Sequence, residues 1–174
     1  MNIISKRFAQ LTLAAALVLP TLASAYVLDG RKWGSPTLGT GATVSWSLTG
    51  TIDCSFDSPG NCSPLSSFMP VGYESEIQAA FNAWGSVANL TFVQVVDNGV
   101  ASNAAGTNAD IRISGHLMDG VNGVLAHGYY PPPNGGSVAG DIHFDSQDTW
   151  DIGFGGSGFS IFQVLAHELG HSLG

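Results

Sequence analysis

His167-Glu168-Leu169-Gly170-His171-Ser172-Leu173-Gly174 closes the sequence, and its spacing decides how the rest is read. Residues four apart share one face of a helix, so the imidazoles of His167 and His171 can reach a single ion. Neutral imidazole is a good zinc ligand, and a catalytic zinc takes three protein ligands and keeps one position open for water. Glu168, next to the first histidine, is placed to take a proton from that water. The plain alternative is a pair of histidines on an ordinary surface helix.

Working outward, composition narrows the classes that this motif could serve. A chain of 174 residues suits one globular domain with a real core. Charged residues make up only 10%, while glycine reaches 23 residues, which points to a loop-rich domain rather than a helical bundle or a disordered acidic tail. With five Lys and Arg residues and a formal charge of -8, no basic patch for nucleic acid can be assembled.

Two of those five, Lys6 and Arg7, precede an apolar run from Phe8 to Leu19 and then Ala23-Ser24-Ala25. A positive start, an apolar middle and an A-x-A site describe a secretory signal peptide over residues 1–25. The run is shorter than the ~20 residues that a spanning helix needs, so no membrane span is expected after cleavage. Cleavage would leave three basic against 13 acidic residues. A secreted, extracellular destination is oxidising, which makes Cys54 and Cys62, the only two cysteines, an expected disulfide. A free buried pair is the alternative.

Along the chain, Thr43 to Leu48 reads as a strand and Thr51 to Pro70 as a Ser/Pro/Asp/Gly-rich loop. Ser75 to Ala88 reads as a helix, with Ile77, Phe81, Trp84 and Ala88 in one apolar stripe and Ser75 with Gln78 as a capping box. Leu90 to Val96 and Asp110 to Ser114 read as strands, with shorter strand-like pieces at Val124 to Tyr129 and Asp141 to Phe144. Ile161 to Leu173 is the final helix, approached through four glycines between Gly153 and Gly158. Strands and helices in this arrangement predict a mixed α+β sheet. The stretch from Gly115 to Trp150 is long for a loop inside a compact domain, so something must hold it, and bound ions are the natural candidate. It carries His116, His127 and His143, and six acidic residues lie in or beside it: Asp110, Asp119, Asp141, Asp145, Asp148 and Asp151. Carboxylate and carbonyl oxygens suit calcium, and imidazoles suit zinc.

Asp119 to Trp150, DGVNGVLAHGYYPPPNGGSVAGDIHFDSQDTW, resembles the corresponding region of the matrixins, the matrix-metalloproteinase family of metzincins. Their pattern runs D-G-x-x-G-x-L-A-H, then G-G-D-x-H-F-D, then an acidic residue and a Trp. EIQAAFNAWGSVANLTFVQV (76–95) and ADIRIS (109–114) are similar to that family's first helix and following strands. The C-terminal motif matches H-E-x-x-H-x-x-G, the start of the metzincin signature. The resemblance covers residues 27–174 and implies a metzincin-type catalytic domain over 26–174, with a mixed twisted sheet and two main helices. The signature's third histidine would come three residues after the glycine. The expectation is therefore a domain incomplete at its C-terminal end, lacking the third ligand and the Met-turn.

The resemblance further implies a secreted zinc-dependent endopeptidase, with Glu168 as general base and His167 and His171 on the catalytic zinc. His127 and His143 fall on structural-zinc positions, with His116 as a provisional third. Asp119, Asp145 and Asp148 fall on one calcium with backbone oxygens of Gly120, Asn122 and Val124, and Asp110 and Asp141 fall on a second. Val124, Leu125 and Ala126 would edge the cleft for a protein or peptide substrate. The family follows its first structural-zinc histidine with an aspartate two residues on, whereas His116 is followed by Leu117 and Met118. The segment from there to Asp119 is also shorter than in the family. The structural zinc is thus expected to be three-coordinate from protein, or absent. Asp148 stands where the family usually has Glu, one methylene longer, which weakens that calcium site. A non-catalytic, calcium-stabilised binding module on the same fold is the rival reading. Glu168 argues against it, because a binding module has no need for a base that is not a ligand.

Overall fold

The structure, a computed structural model, describes residues 30–58, 60–105, 108–133 and 136–174. The expected signal peptide lies outside them. Five strands form one mixed sheet in the order β4-β1-β5-β7-β6. These are β1 (Ala42–Leu48), β4 (Leu90–Gln94), β5 (Ile111–His116), β6 (Ala126–Gly128) and β7 (Ile142–Asp145). Every pairing is parallel except β6 with β7, so β6 is an antiparallel edge strand. Two short ladders sit outside this sheet, β2 (Ile52–Asp53) with β3 (Asn61–Cys62), and β8 (Trp150–Asp151) with β9 (Phe159–Ser160). With α1 (Tyr73–Val87) and α2 (Ile161–Leu173), this is an α+β architecture with two main helices.

Helix α1 starts two residues before Ser75, and its N-cap is Gly72 at φ 98° with no side-chain cap. The capping box expected of Ser75 and Gln78 is therefore not used, because Ser75 already lies inside the first turn. Glu74 and Glu76 in that turn suit the positive end of the helix dipole instead. Of the expected apolar stripe, Ile77 and Phe81 are buried in the core, Trp84 packs partly buried against it, and Ala88 is the C-cap; Ala80 is buried as well, and Phe81 stacks on Trp46 of β1 at 4.4 Å. Helix α2 is capped by the Ser160 hydroxyl, which accepts from the Gln163 N–H. At its far end the Trp33 indole N–H donates to the Ser172 carbonyl at 2.8 Å, satisfying one of the carbonyls left over where a helix stops. Gly174 follows at φ 94°, a left-handed conformation that only glycine adopts without cost.

The alternation along β5 and β7 separates two environments. Ile111 and Ile113 of β5, with Ile142 and Phe144 of β7, join the core cluster that α1 and α2 complete. The opposite face carries Arg112, Ser114 and His116 of β5 and His143 and Asp145 of β7, yet these are buried too. Loops cover that face. The Arg112 guanidinium grips the segment after β4, donating to both carboxylate oxygens of Asp97 at 2.8 and 2.9 Å and to the Val100 and Ala101 carbonyls. The pieces expected at Leu90–Val96 and Val124–Tyr129 are shorter than their patterns suggest. Val124 leaves its strand because its N–H is taken by the Asp119 carboxylate at 2.8 Å.

Candidate active site and metal centre

His167 and His171 lie one turn apart on α2 with ring centroids 5.0 Å apart, and both are exposed. Glu168, between them in sequence, is buried, only 7% exposed. It lines a cleft of about 340 Å³ with Leu125, Ala126, Gln163, Val164 and His167. Of the three residues expected to edge this cleft, Leu125 and Ala126 line it and Val124 does not. Burial raises the Glu168 carboxyl above its ordinary value, partly offset by His167 and His171 and by the Gly128 N–H. That contact needs β6 to come very close to α2. A Cβ on Gly128 would stand 2.8 Å from the Glu168 carbonyl oxygen and 2.9 Å from the Ser172 hydroxyl. The outer edge of β6 therefore runs directly past the glutamate and the first histidine. An unpaired sheet edge beside a cleft is the arrangement that accepts an extended peptide by main-chain hydrogen bonds. Two converging, exposed imidazoles fit a zinc ion as two of its donors.

A second cluster is built on the polar face of the sheet. Register makes His127 of β6 and His143 of β7 direct partners, while His116 sits opposite Asp145 at the end of β5. All three imidazoles converge, and the group includes one residue that sequence reasoning missed, Asp57. Its Oδ2 lies 2.7 Å from His143 Nδ1, 2.9 Å from His127 Nε2 and 3.2 Å from His116 Nε2. His127 Nε2 and His143 Nδ1 are 3.2 Å apart. Four donors joined to one zinc by 2.0–2.1 Å bonds in a tetrahedron would lie about 3.3 Å from one another. The three histidines expected from sequence are thus joined by an aspartate at donor spacing. Burial alone would raise the Asp57 carboxyl, but hydrogen bonds from the three imidazoles outweigh it and hold it far below the usual range. Desolvation would lower His116, yet its bonds to Asp57 and to the Leu117 carbonyl leave it raised. In the more deeply buried His143 desolvation prevails and lowers it. Around the cluster, Tyr129 places its ring 5.5 Å from that of His127 and 6.1 Å from that of His143.

Asp57 lies far upstream, in the loop between β2 and β3 that the Cys54–Cys62 bond closes. Two signals in the sequence pointed to it: the missing aspartate after His116, and an acidic residue inside a cysteine-bracketed loop.

The expected calcium ligands are placed less tightly. Among the described residues, two groups of three or more His, Cys, Asp or Glu have all their ligand atoms within 4.8 Å: the cluster above, and Cys54, Cys62 and His143. Asp119, Asp145 and Asp148 do not form such a group. Asp119 and Asp148 hold one tight loop, however, and Asp145 caps the turn that follows β7. Asp119 Oδ1 accepts from Val124 N–H, Asp148 Oδ1 from Asn122 N–H at 2.6 Å, and Asp145 Oδ1 from Gln147 N–H. Gly120 and Asn122 in that loop have positive φ. The second oxygens of Asp145 and Asp148 are buried with no hydrogen-bond partner. Buried carboxylate oxygens left without donors are costly, and a cation is what such oxygens fit. At the second expected site, the Asp110 carboxylate accepts from the Ser45 N–H and hydroxyl, and Asp141 Oδ1 accepts from the Arg112 N–H. A Cβ on Gly140 would meet the Asp110 carbonyl at 2.9 Å, so that carbonyl lies against the Gly140–Asp141 turn.

Comparison with known proteins agrees with this geometry. The Matrixin family model matches residues 65–174. The chain is 35% identical over 157 residues to karilysin of Tannerella forsythia, covering 86% of this chain and 27% of karilysin. It is 36% identical over 141 residues to the hatching enzyme of Paracentrotus lividus, covering 76% of this chain and 21% of that protein. It is also 36% identical over 101 residues to the interstitial collagenase of Equus caballus, covering 58% and 20% respectively. The chain therefore spans 20–27% of the length of these relatives.

Proposed function

Because the chain belongs to the matrixin family, we propose that it is the catalytic module of a secreted, zinc-dependent endopeptidase acting on protein or peptide substrates. The observation that carries this reading is Glu168, buried beside the first of two converging imidazoles and opening onto the cleft that β6 borders. His167 and His171 are two of the zinc donors. Zinc bound there supplies the Lewis acidity that acidifies a water and polarises a carbonyl. Everything else falls to this chain's own residues. The β6 edge aligns an extended peptide by main-chain hydrogen bonds. Leu125, Ala126 and Val164 give the cleft its apolar wall and exclude water. The Glu168 carboxylate receives the proton of the attacking water and returns it to the leaving amine. The buried histidine cluster and the oxygens of Asp119, Asp145 and Asp148 hold a structural zinc and a calcium that brace the long segment between β5 and α2. Asp110 and Asp141 contribute to a second calcium. No described helix is long and apolar enough to cross a membrane.

Replacing Glu168 with alanine in the full-length protein tests the assignment. Peptide cleavage should fall by about 10²–10⁴-fold, with zinc content unchanged. Unchanged turnover would remove Glu168 as the base, and loss of zinc along with activity would make it a structural residue.

A further inference from the structure

The matrixin reading leaves the buried histidine cluster one donor short, and the short His116–Asp119 segment cannot supply it. We propose that Asp57 is that donor, and that the disulfide-closed loop between β2 and β3 exists to deliver it. The inference rests on reading the cluster as a zinc-type site, as above.

Three observations carry it. The first is chemical: three imidazoles and one carboxylate make a complete tetrahedral N/O set for a borderline ion such as zinc. One oxygen, Asp57 Oδ2, makes the close approach to all three rings. A carboxylate serving only as a surface counter-ion has no reason to meet three nitrogens from three different strands.

The second is how the loop is held. Cys54 and Cys62 are fully buried and bonded, eight positions apart. Immediately after Cys54 the chain turns back on itself, with the N–H groups of Asp57 and Ser58 both donating to the Cys54 carbonyl at 2.9 and 2.8 Å. Asp57 is thus fixed to one end of the disulfide by its own backbone.

The third is how that loop is docked. Just past Cys62, Ser63 and Gly115 exchange both backbone hydrogen bonds, at 2.7 and 3.0 Å. Gly115 is the residue before His116. The bridge therefore sets the loop's position relative to the strand that carries the first histidine. Gly115 also admits no side chain, because the Phe68 ring occupies that space at 2.4 Å from where a Cβ would stand. The ligand, the covalent closure and the dock form one continuous path from Asp57 to His116.

The test reads metal binding without peptidase activity. In the full chain, His167→Ala and His171→Ala remove the catalytic donors, so that bound zinc reports this cluster alone. Zinc affinity is then measured by competition with a chromophoric chelator. The parent should bind one zinc, and its X-ray absorption spectrum should fit three nitrogens and one oxygen. Asp57→Asn, nearly isosteric, should weaken binding by roughly a hundredfold or more. Cys54→Ser with Cys62→Ser, which keeps Asp57 but frees its loop, should weaken binding by about tenfold or more. Should the cysteine variant not fold, amide exchange on the parent replaces it: zinc should raise protection across 54–62. Unaltered affinity in Asp57→Asn would overturn the ligand assignment. Unaltered affinity in the cysteine variant, or unchanged exchange in that loop, would overturn the role of the disulfide. A parent that binds no zinc would leave the cluster a metal-free ion pair and sink the proposal, while the catalytic reading would still stand on cleavage by the native protein.

Discussion

The indole N–H of Trp84 in α1 donates to the carbonyl of Ala166 in α2 at 2.9 Å, tying the helix behind the sheet to the helix that carries the histidine motif. The carbonyl one residue before His167 is therefore anchored from outside its own helix. Gly170, in the turn that follows, lies against the same ring, since a Cβ there would meet Trp84 at 3.5 Å. Trp84→Phe keeps most of the packing and removes the donor. It should cost about 0.5–1.5 kcal/mol in chemical denaturation, the range for one such bond. A loss within error would mean that the contact is incidental.

Gly128→Ala tests the close approach of β6 to α2. The added methyl would be driven against helix backbone at the Glu168 carbonyl, so one element must move. Overpacking of this kind costs roughly 1–3 kcal/mol, and it should raise KM for peptides as the substrate edge shifts away from Glu168. Wild-type stability and KM in this variant would show that the gap has slack.

Asp97 and Arg112 form a buried pair on the polar face of the sheet, with Asp97 6% and Arg112 2% exposed. Burial alone would raise the Asp97 carboxyl. The Arg112 guanidinium, with bonds from Gly99 N–H and the Ser47 hydroxyl, more than offsets it and leaves the group lowered. A carboxyl lowered in the folded state contributes stability above its unfolded value of about 3.9, and that contribution is lost as pH falls through the folded value. Stability should thus drop in acid below about pH 4. Asp97→Asn should flatten this limb while costing about 3–5 kcal/mol at neutral pH, because it leaves Arg112 buried without its partner charge. An acid limb of unaltered slope in Asp97→Asn would assign the drop to other groups.

Calcium removal is the fourth test. With calcium at a hundred times its dissociation constant, binding contributes about 2.7 kcal/mol, so chelation should lower Tm by roughly 5–10 °C for a chain of this size. Asp145→Asn with Asp148→Asn should melt like the chelated protein and no longer respond to calcium. A melting temperature indifferent to chelator would mean that the two orphaned carboxylate oxygens are met in some other way.

Much of this molecule is local in origin and so legible in the chain. Three- and four-residue spacing marked the stripe of α1 and set His167 and His171 on one face of α2. Strand-like runs marked β1, β5 and β7, and the motif order from Asp119 to Trp150 resembled one family. Boundaries were less legible. Val124 left its strand for a bond to the Asp119 carboxylate, and α1 began at Tyr73 in place of the expected Ser75, with a backbone turn at Gly72 doing the work of a side-chain cap.

Asp57 left only a faint trace in its own surroundings. Apart from Cys54, three residues before it, its neighbours read as a solvated Ser/Pro/Asp/Gly loop, and its nearest histidine in sequence is His116. Its role comes from the disulfide, the turn on Cys54 and the bridge from Ser63 to Gly115, which carry it onto the polar face of three strands. The same holds for that face itself. Period-two alternation in β5 tells which residues point together, but not that Arg112, Ser114 and His116 would be roofed by loops and buried. Periodicity and spacing are properties of neighbours along the chain. Which distant carboxylate meets three imidazoles depends on how separate loops pack over one sheet, where desolvation leaves each buried polar group in need of a partner.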